Sequence, residues 1–342
     1  MVIKISEFVE KALFNEKSGY YKTKNPIGES SDFITSPEVS QVFGELLAAY
    51  ILQSISGHKG KISLVEMGAG RGVLFYDIQT TFQKLAKKND QIANLIKNIN
   101  FNIIEINPVL QKAQAEKLKD FEVSFYDDID KFIKENTDQK IVFISNELLD
   151  CFAIDQYVLT ESGWRERVII EDGRKRSFSL GPIDKKVNEF VKKEIGDVLV
   201  PLGGVYEYSK SAREFMKKLC NILKCRDGLA INIDYGYYKN LFVNSLQALK
   251  DHKKWDVLKD PGSADITAHV DFGAMDKIAS GFGLNSSFIS QKEFLLSLGV
   301  ERRRKTLIEK NQEKTKEINL AVDRLINSDE MGDLFKVHIV WA

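Results

Sequence analysis

The chain has 342 residues, 43% of them hydrophobic and 10% aromatic, which is enough to bury a large core and excludes an intrinsically disordered protein. Lysine plus arginine and aspartate plus glutamate number 49 each, so no net charge attracts the chain to nucleic acid or to an anionic membrane. The three cysteines, an odd number, argue against a disulfide framework, and the four histidines form no metal-binding motif.

The amino terminus and the hydropathy predict a cytoplasmic protein without a membrane-inserted segment. Residues 1–10 lack the apolar core of a signal peptide, and their two glutamates disfavour a transit peptide. A mitochondrial matrix location is expected only if a transit peptide precedes this sequence. No apolar run reaches the ~20 residues of a membrane span. Cys220 and Cys225 are expected to be buried core thiols.

Residues 1–58 are predicted to form a helical segment that covers the rest of the fold. A short helix and a loop rich in glycine and aromatic residues, over 18–31, come first. Thr35-Ser36-Pro37-Glu38 then has the hydroxyl cap, the proline and the acid of a helix start. Apolar residues recur at helical spacing as far as Ile55, so we expect one long helix from this point.

The α/β core is expected in two parts, 59–154 and 209–342. Short apolar runs alternate there with helical stretches, which is typical of a doubly wound parallel sheet. The predicted strands are 62–67, 101–106, 123–126, 141–145, 229–233 and a closing strand at 334–341. The pattern thus predicts an α/β fold of the Rossmann-like type.

Three further segments interrupt or extend this core. Residues 155–208 are predicted to contain an inserted antiparallel meander, with strands at 156–160, 164–170 and 176–180. Residues 235–271 show no periodicity and are interpreted as a long functional loop or lid. Residues 301–317 are highly charged with both signs interleaved, which favours a solvent-exposed helix over a nucleic-acid-binding arm.

A glycine-rich turn follows the first core strand and opens a helix. Glycines there allow a sharp turn and a close approach to a ligand, and the helix amino terminus offers unpaired N–H groups. The spacing resembles motif I of class I methyltransferases, and Val73 stands where a dinucleotide site has its third glycine. A plain tight turn is the alternative. The candidate cofactor-binding residues are Glu66, Gly68, Ala69, Gly70 and Gly72.

Polar residues after the next two strands extend the candidate cofactor site. Glu105 ends the second strand, where a carboxylate can accept both ribose hydroxyls of a nucleoside, and Asn107 follows it. The alternative for Glu105 is an exposed acid at a strand end. Asp127 and Asp128 follow the third strand and are candidates for the adenine amino group, or for a helix N-cap.

The fourth core strand ends in the candidate catalytic residues Asn146, Glu147 and Asp150, of which Asn146 is also a candidate cofactor ligand. This fold places reaction chemistry at the carboxyl end of a central strand. In the alternative interpretation Asn146 caps the next helix and Glu147 lies in its first turn.

Several motifs together resemble the MidA/NDUFAF7 family, formerly DUF185. They are the stretches 32–41, 65–72, 146–150, 233–236 and 261–272, and further matches extend the resemblance over nearly the whole chain. The resemblance implies a class I methyltransferase fold with S-adenosylmethionine as cofactor. In mitochondrial members it implies symmetric dimethylation of an arginine in a respiratory complex I subunit. The sequence departs from the family pattern at Ser31, Ala69, Leu148, Leu149 and Ala153, which affects substrate choice more than cofactor binding.

The candidate substrate-binding residues are Ser36, Pro37, Glu38, Asp234, Tyr235, His269 and Asp271. His269 is a candidate general base, with a structural loop histidine as the alternative.

The resemblance implies a protein arginine as the methyl acceptor, and a carboxylate can hold its guanidinium through two hydrogen bonds. Glu147 is the first candidate for this clamp, with Asp150 and Glu166 behind it. Three rival functions are a small-molecule methyltransferase, a nicotinamide-dependent oxidoreductase, which Val73 disfavours, and a cofactor-binding assembly factor without turnover.

Overall fold

The computed structural model describes residues 1–23, 35–173, 175–239 and 241–342. The predicted loop at 18–31 and the family departure at Ser31 therefore lie wholly or largely outside the described residues. The amino-terminal elements are β1 (Val2–Lys4), α1 (Ile5–Phe14), α2 (Tyr20–Thr23), α3 (Ser36–Val39) and α4 (Gln41–Ser54).

The single long helix predicted from residue 35 is wrong, because the chain is extended at Ser40, with φ −160° and ψ 134°. The Ser40 hydroxyl accepts a hydrogen bond from the Val42 N–H and so caps α4. Thr35 forms no capping hydrogen bond with its side chain. Glu38, interpreted in the sequence as the acid of a helix start, accepts a hydrogen bond from Arg71.

The first part of the α/β core alternates strands and helices as predicted. Its elements are β2 (Ile62–Met67), α5 (Val73–Ala86), α6 (Asp90–Ile96), β3 (Ile99–Ile104), α7 (Pro108–Lys117), β4 (Ser124–Tyr126), α8 (Ile129–Glu135) and β5 (Lys140–Asn146). The four strands are parallel, with β2 between β3 and β5 and with β4 beside β3.

After a 3-10 turn at Leu149–Cys151, the chain forms a second sheet, whose strands are antiparallel. Residues 155–208 contain β6 (Asp155–Thr160), β7 (Gly163–Asp172), β8 (Lys175–Leu180), α9 (Lys185–Ile195) and β9 (Val205–Tyr208). Strand β7 pairs antiparallel with β6 and β8, which confirms the predicted meander. Strands β1 and β9, which the sequence pattern did not predict, extend it by pairing with β7 and β6.

The rest of the chain completes the main sheet. It contains α10 (Lys210–Cys225), β10 (Leu229–Tyr237), β11 (Gln247–Lys250), β12 (Lys253–Trp255), β13 (Asp265–Thr267), β14 (Val270–Asp271), α11 (Phe272–Gly281), β15 (Asn285–Ser290), α12 (Gln291–Ser297), α13 (Val300–Lys310), α14 (Thr315–Ile326), α15 (Met331–Leu334) and β16 (Phe335–Trp341). The strand order is β15-β16-β10-β5-β2-β3-β4, with β14 beside β10. Parallel strands with helices on both faces and an antiparallel closing strand confirm the predicted fold class.

Three predictions in this part are wrong. The segment 235–271 is no continuous loop, because β11, β12 and β13 form a small antiparallel sheet. These strands have only three or four residues, too few to show a periodicity. A 3-10 turn at Gln312–Lys314 divides the charged segment between α13 and α14. Cys220 is buried as expected, but Cys225 is exposed at the end of α10.

Apolar residues cover both faces of the main sheet. Helices α4 and α5 contribute Phe43, Leu47 and Phe75 to the core on one face, and α10 and α11 contribute Leu219 and Met275 to the core on the other. The carboxyl ends of the parallel strands are thereby fixed at one edge of a rigid layer. In the described ranges, no helix is long and apolar enough to cross a membrane.

Candidate active site

A cavity of about 490 Å³ lies at the carboxyl ends of β2, β3 and β5. Its walls come from the residues that follow these strands, from α1 to α3, and from the turn after β5. In an open α/β sheet this edge is where ligands bind. The cavity also has the size of a small-molecule site, typically ~300–1,000 Å³.

The glycine-rich turn forms one wall of the cavity and has the predicted conformation. Gly68, Gly70 and Gly72 have φ values of 70°, 53° and 77°, which favour glycine over residues with a side chain. A Cβ atom on Gly68 would lie 2.8 Å from Cδ1 of Leu148, so a side chain there would collide with the turn after β5. Helix α5 starts directly after Gly72, and its first N–H groups face the end of the turn.

Glu105 is joined to the glycine turn through Gln114. The amide Nε2 of Gln114 donates to Oε2 of Glu105 (3.1 Å) and to the carbonyl of Gly70 (2.8 Å). Oε1 of Glu105 accepts the backbone N–H of Asn107 at 2.8 Å. Glu105 lines the cavity but is only 5% exposed, and this burial raises the pKa of its carboxyl. The side chain of Asn107 caps α7 through the Val109 N–H and does not line the cavity.

Two buried oxygen atoms beside the cavity have no hydrogen-bond partner among the residues that the structure describes. They are Oε2 of Glu66 and Oδ1 of Asn146, and both residues line the cavity. Burial, together with the nearby Glu105, raises the pKa of Glu66 to about 8. Because a buried polar atom without a partner is costly, these atoms are available to a ligand's donors.

Glu147 is held in an uncommon backbone conformation at the end of β5. Its φ is 53°, in the left-handed region that residues with a side chain rarely adopt. Oε1 of Glu147 accepts the Ser36 N–H (2.9 Å) and Nδ2 of Asn146 (3.0 Å), and burial raises the pKa of its carboxyl to about 7. The helix-capping alternative is therefore wrong, since no helix starts at Glu147. Such strain is found preferentially at functional sites.

Asp234 supports the turn that follows Glu147. Its Oδ2 accepts the N–H groups of Leu149 (2.8 Å) and Asp150 (3.1 Å), and its Oδ1 accepts the N–H of Tyr235 (2.9 Å). Burial raises the pKa of Asp150 to about 6, although a hydrogen bond with Tyr235 opposes this. Asp150, Asp234 and Tyr235 lie behind the cavity and do not line it.

Helix α3 connects the two sides of the cavity. Pro37 and Glu38 line the cavity, and the Ser36 N–H binds Glu147. Glu38 accepts Nε of Arg71, from the glycine turn, at 2.9 Å. Residues 35–38 therefore join Glu147 to the glycine turn, in addition to starting a helix.

Ten candidate site residues do not line this cavity, namely Ser36, Gly72, Asn107, Asp150, Asp234 and Tyr235, which lie next to its wall, and Asp127, Asp128, His269 and Asp271. Asp127 is exposed and pairs with Lys131 at 3.4 Å, and Asp128 caps α8 through the Lys131 N–H at 3.2 Å, as in the N-cap alternative. His269 and Asp271 line a separate cavity of about 20 Å³.

The two candidate residues that line the smaller cavity, His269 and Asp271, have structural contacts. Asp271 caps α11 through the Ala274 N–H (3.0 Å) and lies 3.5 Å from Arg213. The His269 backbone N–H donates to Ser245 (2.9 Å), and burial lowers the pKa of its ring. Their proposed part in binding the acceptor stays a prediction.

The sequence patterns missed the amino-terminal residues of the cavity wall. These are Glu10, Phe14, Glu16, Tyr21 and Lys22, from α1, α2 and the turn between them. The Gly19-Tyr20-Tyr21 string was the available signal, but it predicts only an aromatic-rich turn.

Carboxylates outnumber cations in the cavity wall. The glutamates of the wall are Glu10, Glu16, Glu38, Glu66, Glu105 and Glu147, and its cations are Lys22 and Arg71. Each cation is paired with one of these glutamates, Lys22 with Glu16 at 3.0 Å and Arg71 with Glu38. The remaining four carboxyl groups have no ion pair with a residue in the described part of the chain. Those that are ionised favour ligands that carry positive charge, but burial raises the pKa of Glu66, Glu105 and Glu147, so Glu66 is largely uncharged near neutral pH.

Known proteins that resemble this chain in sequence or structure include methyltransferases and a protein with bound S-adenosyl-homocysteine. Residues 46–289 match a family described as putative S-adenosyl-L-methionine-dependent methyltransferase. The chain is 31% identical, over 98% of its length, to the protein arginine methyltransferase NDUFAF7, mitochondrial, of Xenopus tropicalis, and covers 81% of that protein. The Homo sapiens relative of the same name is 29% identical over 97% of this chain, which covers 78% of it. A crystal structure from Burkholderia thailandensis with bound S-adenosyl-homocysteine is 25% identical, with a TM-score of 0.84 over 100% of this chain and 88% of that one.

Proposed function

The chain belongs to the family of putative S-adenosyl-L-methionine-dependent methyltransferases, and from this premise we propose that it methylates an arginine side chain of a protein. S-adenosylmethionine is its cofactor. The relatives named protein arginine methyltransferase support the choice of acceptor, as does the carboxyl group of Glu147 in the cavity wall. From the family resemblance we further propose symmetric dimethylation, with a complex I subunit-like protein as substrate.

The residues beside the cavity fit this cofactor. Gly68 and Gly70 line the cavity, and the orphaned oxygens of Glu66 and Asn146 match the amino and hydroxyl donors of an amino-acid nucleoside. Glu105 at the end of β3 is the acceptor that we propose for the ribose hydroxyls. When bound, the cofactor supplies an electrophilic methyl group attached to a positively charged sulfur. After the transfer, this sulfur remains in the leaving group as a neutral thioether.

The carboxylate of Glu147 carries the proposal for an arginine acceptor. Of the three carboxylates proposed for the clamp, Glu147 alone lines the cavity, since Asp150 lies behind it and Glu166 pairs with Lys4 at 3.0 Å. Oε1 of Glu147 is held by two donors, whereas Oε2 receives no hydrogen bond from the described residues. A guanidinium can use Oε2 together with the second lone pair of Oε1.

Glu147 also takes part in the proton balance of the reaction. One N–H bond of the guanidinium is broken and one N–CH₃ bond is formed, while the electrons of the broken S–CH₃ bond stay on sulfur. The product guanidinium keeps its charge, so one proton is released. The Glu147 carboxylate accepts this proton, because a base with a pKa of about 7 suits proton transfer near neutral pH.

The test incubates the purified protein and methyl-labelled S-adenosylmethionine with lysate of a strain that lacks the protein. Acid hydrolysis should release label as methylated arginine, and chromatography then identifies the monomethyl, symmetric or asymmetric product. Glu147→Gln should bind S-adenosylhomocysteine like the wild type and label arginine more slowly by about two orders of magnitude or more. Label in a small-molecule fraction would identify the protein as a small-molecule methyltransferase. Cofactor binding without any label would favour an assembly factor.

A further inference from the structure

An aromatic pair from the amino-terminal helices faces the cavity. Phe14, the last residue of α1, and Tyr21 of α2 both line the cavity, with ring centroids 5.8 Å apart and ring planes 21° apart. Phe8 and Tyr20 pack in the same apolar cluster and are 5% and 0% exposed, whereas Phe14 and Tyr21 are only half-buried. The pair therefore leaves aromatic surface uncovered where a ligand can reach it.

Contacts with Asp265 and Tyr20 hold the ring of Tyr21 in place. Its hydroxyl donates to Oδ1 of Asp265 at 2.8 Å, and the ring of Tyr20 meets it edge to face, with centroids 5.1 Å apart. Asp265 belongs to β13, so the small antiparallel sheet holds the orientation of this wall. A ring held in this way loses little conformational entropy when a ligand stacks on it.

A free carboxylate accompanies the aromatic pair. Glu10 lies one turn before Phe14 on α1, so the two side chains share a helix face, and Glu10 also lines the cavity. It is exposed, and no cation of the described residues pairs with it. Flat aromatic surface beside a carboxylate is suited to a planar cation, since a guanidinium stacks on aromatic rings and an ammonium does so less well.

We propose that Phe14, Tyr21 and Glu10 form the acceptor subsite, in which the target arginine stacks on the aromatic pair while Glu147 holds its guanidinium. This subsite deepens the proposed function and rests on it. The amino-terminal segment thereby selects arginine over lysine. The glycine turn and the residues after β3, which we assign to the cofactor, belong to the same cavity wall, as methyl transfer between two bound ligands requires.

The test is a binding titration of protein saturated with S-adenosylhomocysteine. Acetyl-arginine-amide is the probe and acetyl-lysine-amide is the matched control ligand, both followed by NMR chemical shifts. We expect the arginine probe to bind more tightly. Phe14→Leu and Tyr21→Leu should each weaken it by about tenfold, the size of one cation–π contact, without changing affinity for S-adenosylhomocysteine. Phe8→Leu is the matched control, since it removes a ring from the same cluster but away from the cavity.

Glu10→Gln provides a variant whose folding is not at risk, because the side chain is exposed. It should weaken the arginine probe by about threefold at low salt and less at high salt. If Phe14→Leu, Tyr21→Leu and Glu10→Gln all bind the arginine probe with wild-type affinity, the subsite is overturned. The proposed function still stands in that case if the wild type labels arginine in lysate. If the wild type labels no arginine and binds both probes equally, the proposed function fails and the subsite with it.

Discussion

The backbone N–H of Ser36 donates a 2.9 Å hydrogen bond to Oε1 of Glu147, which lies 111 residues further along the chain. Nδ2 of Asn146 donates to the same oxygen at 3.0 Å. Both donors favour the ionised carboxylate, but burial favours the neutral form and prevails, so the pKa rises to about 7. Because Glu38 on the same helix binds Arg71, the carboxylate and the glycine turn are held in a fixed relation.

Methyl transfer to arginine should depend on pH through Glu147. The carboxylate must be ionised to hold the guanidinium and accept a proton, and with a pKa of about 7 it is protonated in acid. The kcat/KM for the arginine acceptor should therefore rise with pH and level off above about 7, falling about tenfold per unit well below that value. Affinity for S-adenosylhomocysteine, measured in parallel, should change much less.

Glu147→Gln is the control for this pH dependence. Its activity should be lower than that of the wild type by about two orders of magnitude or more, without the rise near neutral pH. A variant that keeps the wild-type pH profile would show that another group sets it.

Gly68→Ala should weaken both cofactor binding and folding. The added Cβ would meet Leu148 at 2.8 Å in a backbone conformation with φ 70°. We expect a cost of about 1–2 kcal/mol in the free energy of unfolding and at least about a tenfold loss of affinity for S-adenosylhomocysteine, by calorimetry.

Gly173→Ala is a matched control for the glycine turn. Gly173 has φ 60° in the hairpin between β7 and β8, and no atom lies within 4 Å of the position of its Cβ. It should cost similar stability and leave cofactor affinity unchanged. Equal affinity in both variants would contradict a cofactor role for the glycine turn.

Local patterns in the sequence were sufficient to predict the parallel core. Strand β5 contains a continuous apolar run, residues 141–144, because both its faces are buried. The glycines of the turn are recognisable because the backbone there has positive φ values, which glycine adopts easily. The meander was predictable from its turn residues. In each case the determinant lies within a few residues along the chain.

Features determined by distant contacts were not predictable. The string around Glu38 has every local sign of a helix start, yet the side chain binds Arg71, and the chain extends at Ser40. Strand β1 has three residues and exists because it pairs with β7, more than 160 residues away. The cavity wall at Phe14 and Tyr21 likewise results from packing between distant segments, which no spacing in the sequence reports.

Asp234 should act by positioning the turn after Glu147. Asp234→Ala leaves the buried N–H groups of Leu149 and Asp150 without an acceptor and should cost about 3 kcal/mol in the free energy of unfolding. Asp234→Asn keeps one acceptor oxygen, and since burial raises the pKa of Asp234 well above its usual range, the neutral amide resembles the native neutral acid.

Asparagine at this position should therefore cost about 1 kcal/mol and leave KM for the acceptor nearly unchanged. Thermal unfolding and steady-state kinetics test this together. A folded Asp234→Asn protein with a strongly raised KM would instead assign Asp234 a direct contact with the substrate.

Asp77→Asn should stabilise the protein, increasingly so as the pH rises. Asp77 of α5 packs against Gly44 of α4, and burial together with Glu45 raises its pKa from 3.8 to about 7. The unfolded chain ionises this group at lower pH than the folded protein does, so its contribution opposes folding progressively between about pH 4 and pH 7.

Asparagine removes that opposing contribution. We expect a gain of about 2 kcal/mol at pH 8, a value already reduced for the partial exposure of the group, and a gain near zero at pH 4. Urea unfolding at several pH values measures the difference from the wild type. Asp172→Asn, on the exposed hairpin of β7 and β8, is the control and should change stability by less than about 0.5 kcal/mol at any pH. A gain that does not grow with pH would mean that Asp77 is already ionised in the folded protein at low pH.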